Sequence, residues 1–405
     1  GIVIGLLMAI FFGWGSYKRS FIDSLLKGYE FISYDSRMRA RTAGVEQMSI
    51  EDVVIIDIDN TSVGPIEEGG LGRYHNWPHA YHGELINTVS SGNPKALLFD
   101  VIFDEENTYK YDLVRALSSA SNNRSNDLSE ATNQFLYSND PGKFVSATAN
   151  SNQTYHAIVF EEEDTLNFLP KMLSEPEGYE FANHIIRGVS DEAKTKLPQA
   201  DRIGNTYVDL LSASTGNGSA NFPQDNDGVI RRAPTAIYFD GADHVYPSLV
   251  MSAVIDILGI KKDGGFDYDF ENNLLNLIDS TDTIVRTIPI DDNGRMYVNY
   301  FGKFQTFYYL PYSYCMDPEM LPPDYWEGKV ALVGASLPGL MDLRNTPVQE
   351  TFAGVEIHAN VMHSILQNDF VVVKDNVSTF YSILILCIVI GILISFPKKP
   401  FYALP

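Results

Sequence analysis

Two uncharged apolar runs bracket this chain and limit what can lie between them. Residues 1–17 (GIVIGLLMAIFFGWGSY) carry no charge before Lys18, and residues 378–396 (STFYSILILCIVIGILISF) carry none over 19 residues. A helix that crosses a bilayer needs about 20 apolar residues. The second run is apolar on every face and ends in Pro-Lys-Lys-Pro, so it reads as a span rather than a buried core helix. The first run reads as a span whose start lies upstream of Gly1. A signal peptide is the competing reading, but no small-residue cleavage site follows Gly15. Lys398 and Lys399 put the end of the second span in the cytoplasm. Lys18, Arg19, Arg37, Arg39 and Arg41 pull the other way, which a long translocated domain tolerates. The expected organisation is a transmembrane helix over 1–17, a stalk helix over 18–42 and an extracytoplasmic domain over 43–377. A second transmembrane helix covers 378–396, and 397–405 begin a cytoplasmic or inter-span segment.

The domain between the runs can bury a full core: 45% of the 405 residues are hydrophobic and 12% aromatic. A net charge of -23 argues against nucleic acid and against a broad basic face on anionic lipid. Cys387 sits in the second apolar run, which leaves Cys315 as the one thiol elsewhere. No disulfide framework or cysteine-based zinc site can form from it. An outside domain with one cysteine suits a bacterial periplasm better than a secretory pathway.

Along the domain, Phe21, Leu25, Tyr29, Ile32 and Met38 keep near-helical spacing over 21–41. VVIIDID (53–59) is a buried strand ending in carboxylates. In NWPHAYHGELINTVSSG, Pro78 opens a helix and Gly92 closes it. ALLFDVIFDE (96–105) is a second apolar strand ending in acid, and this strand–helix–strand order predicts parallel pairing of neighbours. KFVSATA and YHAIVF read as two further strands, and 118–133 as a loop or exposed insertion. NDGVIRRAPTAIYFD is a turn and strand, YPSLVMSAVIDILG a helix, and Asn293-Gly294 a hairpin turn. KVALVGAS is the last strand, and GVEIHANVMHSILQN is a helix leading to the second span. The expected fold is α/β, a mixed, largely parallel sheet flanked by helices.

Three groups of residues invite a chemical reading. Ser336 follows the last strand, but the serine-hydrolase elbow needs glycine two residues later, where Pro338 stands and Gly339 comes one late. His358 and Asp342 are available as triad partners, and availability alone makes no triad. Asp57, Asp59 and Asp100 stand at strand ends, where α/β proteins bind ligands. They could hold a hard cation such as Mg or Ca, or cap helices and pair with Arg231, Arg232 or Arg344. His75, His79 and His82 have zinc-like spacing, but a helix starting at Pro78 leaves His75 outside it. His358 and His363 are five apart and so on different helix faces. NTSVGPIEEGGLG has neither GxGxxG nor a Walker lysine.

Taken in order, VVIIDIDNTSV, the WPHAYH of Trp77 to His82, ALLFDVIFDE, DNDGVIRRAP, YPSLVMSAV, IPIDDNGRMYVNYFG, WEGKVALVGASLPGLMDLRNTP and GVEIHANVMHSIL resemble the CHASE2 family of extracytoplasmic sensory domains. The resemblance covers about residues 31–370. Where relatives carry arginine after the Trp-Pro pair this chain has His79, and where they carry a second acid after the first strand it has Asn60. Both departures count against a metal there. The resemblance implies a sensing rather than a catalytic domain, with Asp342 and Arg344 holding the loop after Ser336 against the ends carrying Asp57 and Asp100. It implies a bacterial inner-membrane receptor with its main domain in the periplasm, acting as a homodimer on an unknown ligand or partner. The output is expected to be an intracellular class III adenylate or guanylate cyclase, or a protein kinase. This region needs no cofactor; Mg or Mn with ATP or GTP belongs to the missing cyclase. A membrane-anchored hydrolase and a surface adhesion domain are the rival readings.

Overall fold

The first expected strand forms as β1 (Ile50–Ile58), and Val53 to Ile56 are fully buried on both faces, as a central strand in a covered parallel sheet requires. The computed structural model describes residues 7, 21–103, 140, 142–161, 185–204, 206–322, 324–337, 343–372 and 376–395. The chain divides into two units, Thr42–Val371 and Gly1–Arg41 with Val372–Pro405.

In the larger unit β1 is followed by α1 (His79–Ser91), β2 (Ala96–Phe99), α2 (Gly142–Ser151), β3 (Thr154–Glu161), β4 (Arg202–Gly204), α3 (Val208–Ala213), β5 (Gly216–Ser219) and β6 (Arg232–Pro234). Then come α4 (Leu249–Ile257), β7 (Phe266–Asp269), β8 (Leu274–Ile278), β9 (Ile284–Pro289), β10 (Arg295–Tyr297) and β11 (Phe307–Pro311). The last are α5 (Tyr312–Met316), β12 (Val330–Ala335), β13 (Leu343–Arg344), β14 (Phe352–Ala353) and α6 (Gly354–Gln367). The main sheet has seven strands and runs β11–β1–β12–β2–β3. Beyond that, β3 pairs with parallel β5 along Tyr155–Ile158 and with antiparallel β4 along Val159–Glu161. The sheet is thus mixed but largely parallel and flanked by helices, the expected class.

The first two strands are not neighbours, contrary to the reading of their strand–helix–strand order. β12 lies between them and pairs with both. The crossover through α1 skips one place, and a strand from late in the chain fills it. Local pattern carries no signal for that insertion.

One face of the sheet packs Val54, Ile56, Ile58, Leu97, Phe99, Ala331 and Val333 against Trp77, Leu85, Ile86, Val89, Phe144, Ala147, Leu210 and Tyr312. Strand alternation turns the intervening residues, Asp57 and Gly334 among them, toward the other face. There α4 and α6 pack on the sheet. Gly334 permits that approach: a Cβ on it would stand 2.5 Å from Val355 Cβ of α6.

KFVSATA, expected as a strand, is helical in α2. Phe144, Ala147 and Thr148 are its buried residues, which is i, i+3, i+4 spacing; the alternating Lys-Phe-Val-Ser hides it. At Gly83 of α1 a Cβ would lie 2.7 Å from Lys143 O, so the glycine lets α2 come close. The Asn293-Gly294 turn forms, with Gly294 at φ 67 and Asp291 N–H donating to Arg295 O at 2.8 Å. Its hairpin reaches only the Ile290–Met296 bridge, and β10 pairs with β6.

Residues 21–42 are helical, as their spacing predicts, all but Thr42 belonging to the smaller unit, and a second helix of that unit covers Asn376–Ser395. Among the described residues no helix is long and apolar enough to cross a membrane. The first apolar run, Leu7 excepted, and the 118–133 insertion lie outside those residues.

Candidate functional site at the strand ends

The β1–β12 register opposes Asp57 to Gly334 and Ile58 to Ala335, so Ser336 arrives just beyond the carboxylate. Its backbone N–H donates to Asp57 Oδ1 at 2.8 Å and its hydroxyl to Oδ2 at 2.5 Å. Burial pushes Asp57 up, the two Ser336 bonds pull it back, and Asp59 adds a push; the result is about 6. The Ser336 hydroxyl is therefore held by a carboxylate. His358 faces Asp100 instead, with Nε2 3.6 Å from Oδ1. A triad needs the imidazole between serine and acid, and here the two side chains have separate partners.

Asp59 shapes the next loop. Its Oδ1 accepts the Ser62 N–H at 2.8 Å and the Ser62 hydroxyl at 2.7 Å. Ser62 Oγ in turn accepts the Ser313 N–H at 3.1 Å, joining the loop to α5. Asp59 thereby caps the loop that follows β1. Among the described residues no three His, Cys, Asp or Glu side chains are placed to hold a metal ion.

Between these strand ends and the N-terminus of α6 lies a cleft of about 210 Å³, lined by Ile58, Tyr74, Asp100, Val101, Ile102, Ala335, Gly354 and Val355. This is where open α/β sheets present ligands.

Arg231 and Arg232 are taken up elsewhere. Arg231, 1% exposed, donates to Asp225 at 3.1 Å and to both oxygens of Asp227 at 2.9 and 2.8 Å. Arg232 binds Asp225 and reaches Asp291 at 2.8 Å, which Arg295 also meets at 3.0 Å. Such a network ties the DNDG turn to β6 and β10; each buried charge is paired. Arg344 stands on β13, whose partner β14 leads into α6. Asp342 lies outside the described residues.

Three further features escaped the sequence reading. Glu356, fully buried in α6, accepts the N–H groups of Gln305 and Thr306 at 2.9 Å and the Tyr309 hydroxyl at 3.0 Å. Burial outweighs those donors and pushes it up to about 7. Its signal was a lone acid between Val355 and Ile357 on a helix apolar on nearly all sides. Asp52 lies with both oxygens 2.8 Å from His363 Nδ1 and one 2.9 Å from Gln367 Nε2. Burial raises its proton affinity, but the bonds to His363 and Gln367 together hold it below the usual carboxylate range. The five-residue spacing of His358 and His363 does separate them, one facing Asp100 and the other Asp52. Finally, α1 starts at His79 after Pro78 and His75 falls in a preceding turn, so the three histidines do not share one helix. His82 hydrogen-bonds the Tyr312 hydroxyl at 2.6 Å, and His156 stacks on Phe99.

No curated protein and no solved structure matches this chain. A family model, described as the CHASE2 domain, matches residues 3–395. That is nearly the whole chain, and it takes in the sheet, the cleft and α6; the protein belongs to the CHASE2 family of extracytoplasmic sensory domains.

Proposed function

We propose that this chain is the input region of a bacterial inner-membrane receptor. Residues 1–17 and 378–396 span the membrane, 18–42 form a stalk, and the sensing domain lies in the periplasm. The two uncharged runs and Lys398-Lys399 support this topology. The output is an intracellular class III nucleotide cyclase, whose sites assemble between two catalytic domains, so the receptor works as a homodimer.

The observation that carries the reading is the course of α6. Its first residues, Gly354 and Val355, line the cleft. Its last turn is fastened to the start of β1 through Asp52, and the chain then has few residues before the second apolar run. A short connection transmits displacement better than a long flexible one. The test is a fusion of this chain to a class III adenylate cyclase module in a cyclase-deficient bacterium. Four glycines inserted after Asn368 should abolish the domain's influence on cAMP while membrane insertion and folding persist. Unchanged basal output and response would refute transmission through this connection. A reporter fused after Arg41 should be active only in the periplasm.

A further inference from the structure

The geometry points to the cleft at the head of α6 as a binding site for a small apolar α-amino acid, its ammonium on Asp100 and its carboxylate on the helix N-terminus. At about 210 Å³ the cleft is below the ~300–1,000 Å³ of sites for drug-sized ligands, so its occupant is small. Most of its wall is aliphatic, from Ile58, Val101, Ile102 and Val355, which suits a branched hydrocarbon side chain.

Two polar groups in or beside it lack what they need. Asp100 keeps its backbone N–H on Val333 O, but among the described residues its carboxylate faces only His358, at 3.6 Å, too far for a hydrogen bond. Nε2 of His358, a residue 2% exposed, has no hydrogen-bond partner among the described residues, and a buried ring nitrogen left so is rare in native proteins. One ammonium carries three N–H donors, and a nitrogen placed between the Asp100 carboxylate and the ring of His358 lies within ~2.9 Å of both, with Nε2 accepting in the Nδ1–H tautomer.

The third feature is the helix itself. Ala353 at the N-cap has only a methyl group and makes no side-chain cap bond to α6. Orphan N–H groups of a first turn attract a carboxylate. The acid in that turn, Glu356, is turned away onto Gln305, Thr306 and Tyr309. A free anion would gain the helix end but meet Asp100. A simple amine would satisfy Asp100 and leave the helix end bare. The zwitterion satisfies both.

This inference supplies a ligand class to the sensory reading and rests on it for its meaning as a signal, but binding is measured without any output. Calorimetry on the full chain in detergent micelles, titrated with L-valine, isobutylamine and isobutyrate, separates the three chemistries. Valine should give saturable heat, isobutylamine at least tenfold weaker binding, and isobutyrate none. Asp100→Asn, close to isosteric, should weaken valine at least tenfold. Val101→Trp, which fills the cleft and leaves its polar groups alone, should do the same with an unchanged circular dichroism spectrum. Absence of valine binding at millimolar concentration, isobutyrate binding as tight as valine, or an Asp100→Asn chain that binds valine normally each overturns the site. A cyclase fusion deaf to valine whose calorimetric binding is intact would instead overturn the sensory reading alone.

Discussion

Asp52 and His363 join the start of β1 to the last turn of α6, with both carboxylate oxygens 2.8 Å from Nδ1. At the other end of the same two elements, Asp57 of β1 holds Ser336 and Gly334 receives Val355 of α6. Strand and helix therefore lie side by side, running opposite ways, with the cleft at one end and a polar clamp at the other.

The clamp should be worth about 1–2 kcal/mol, the lower part of the range for a hydrogen bond to a charged group, because both partners keep some solvent contact. Asp52→Asn should lose that much stability in urea at neutral pH, and adding His363→Phe should cost little more. The pH dependence has a definite sign. Asp52 is held below its ordinary 3.8, so its contribution is present above that value and is lost as pH falls through it. The gap between wild type and Asp52→Asn should close on acidification below about pH 4.

Ser336 sits at the end of an apolar strand with glycines on both sides, the pattern that invites a nucleophile. Its hydroxyl is spent on Asp57, so a fluorophosphonate probe should leave it unlabelled. Ser336→Ala removes one of two donors and should cost about 1 kcal/mol. Asp57 is raised to about 6, so the stability it contributes is present below its unfolded value and falls as pH rises through 6. Removing a donor to the ionised form makes that fall steeper. The Ser336→Ala deficit should be larger at pH 8 than at pH 5 in denaturant titrations.

Periodicity and turn chemistry made the strand and helix of 50–91, α4, α6 and the DNG turn legible in the sequence. They could not tell which strands touch. Asp57 and Asp100 read as neighbours because they end successive strands, yet β12 separates them and supplies Ser336 to one side. Arg231 and Arg232 read as partners for those acids, but the nearer Asp225 and Asp227 of their own turn took them. Local competition of this kind is readable only once the turn is known to fold back. Glu356 showed only as a lone acid on an apolar helix, and its partners were hidden for the opposite reason: two of its three donors, Gln305 and Thr306, are backbone groups of a loop with no pattern of its own.

The imidazoles beneath the sheet should make the domain acid-sensitive. Burial holds His82 well below 6.5, with His79 and His156 adding to the effect, and burial alone holds His156 at about 3. Below pH 6.5 the unfolded chain takes up protons that these folded side chains refuse, so stability falls as pH falls. The slope is at most about 1.4 kcal/mol per pH unit for each group. Asp57 and Glu356, both raised, act in the opposite sense between about pH 4 and 7, so the effect is best read as a difference. His156→Phe keeps the stack on Phe99 and removes the titration. Its unfolding free energy should lose about one proton's worth of slope between pH 6.5 and 4, and an unchanged slope would place that nitrogen in contact with solvent.

The last turn of α6 has a second fastening, from the three-stranded antiparallel sheet β7–β8–β9. Arg286 on β9 donates from Nε to Ile365 O at 2.8 Å and from Nη2 to Leu366 O at 3.2 Å. These carbonyls belong to the last turn, which lacks i+4 donors, and Ile365 O otherwise accepts only the long Asn368 N–H bond of 3.3 Å among the described residues; a cation is also favoured there by the helix dipole. Asn368 closes the helix in the left-handed conformation, at φ 55, a geometry asparagine tolerates better than most residues. Asn299 Nδ2 then reaches Asp369 O at 3.2 Å, so the backbone is held one residue further. Arg286→Ala should therefore cost about 1–2 kcal/mol. It should raise amide exchange selectively in the last turn of α6, whose far end at the cleft stays protected. Arg286→Lys should restore little, because an ammonium cannot present two donors in the fixed fork that meets two successive carbonyls. Full rescue by lysine would mean that charge alone, and not the paired geometry, holds the helix end. If the receptor signals through α6, Arg286→Ala should also blunt the response of the cyclase fusion while leaving valine binding within about twofold of wild type, since the cleft lies at the helix's other end.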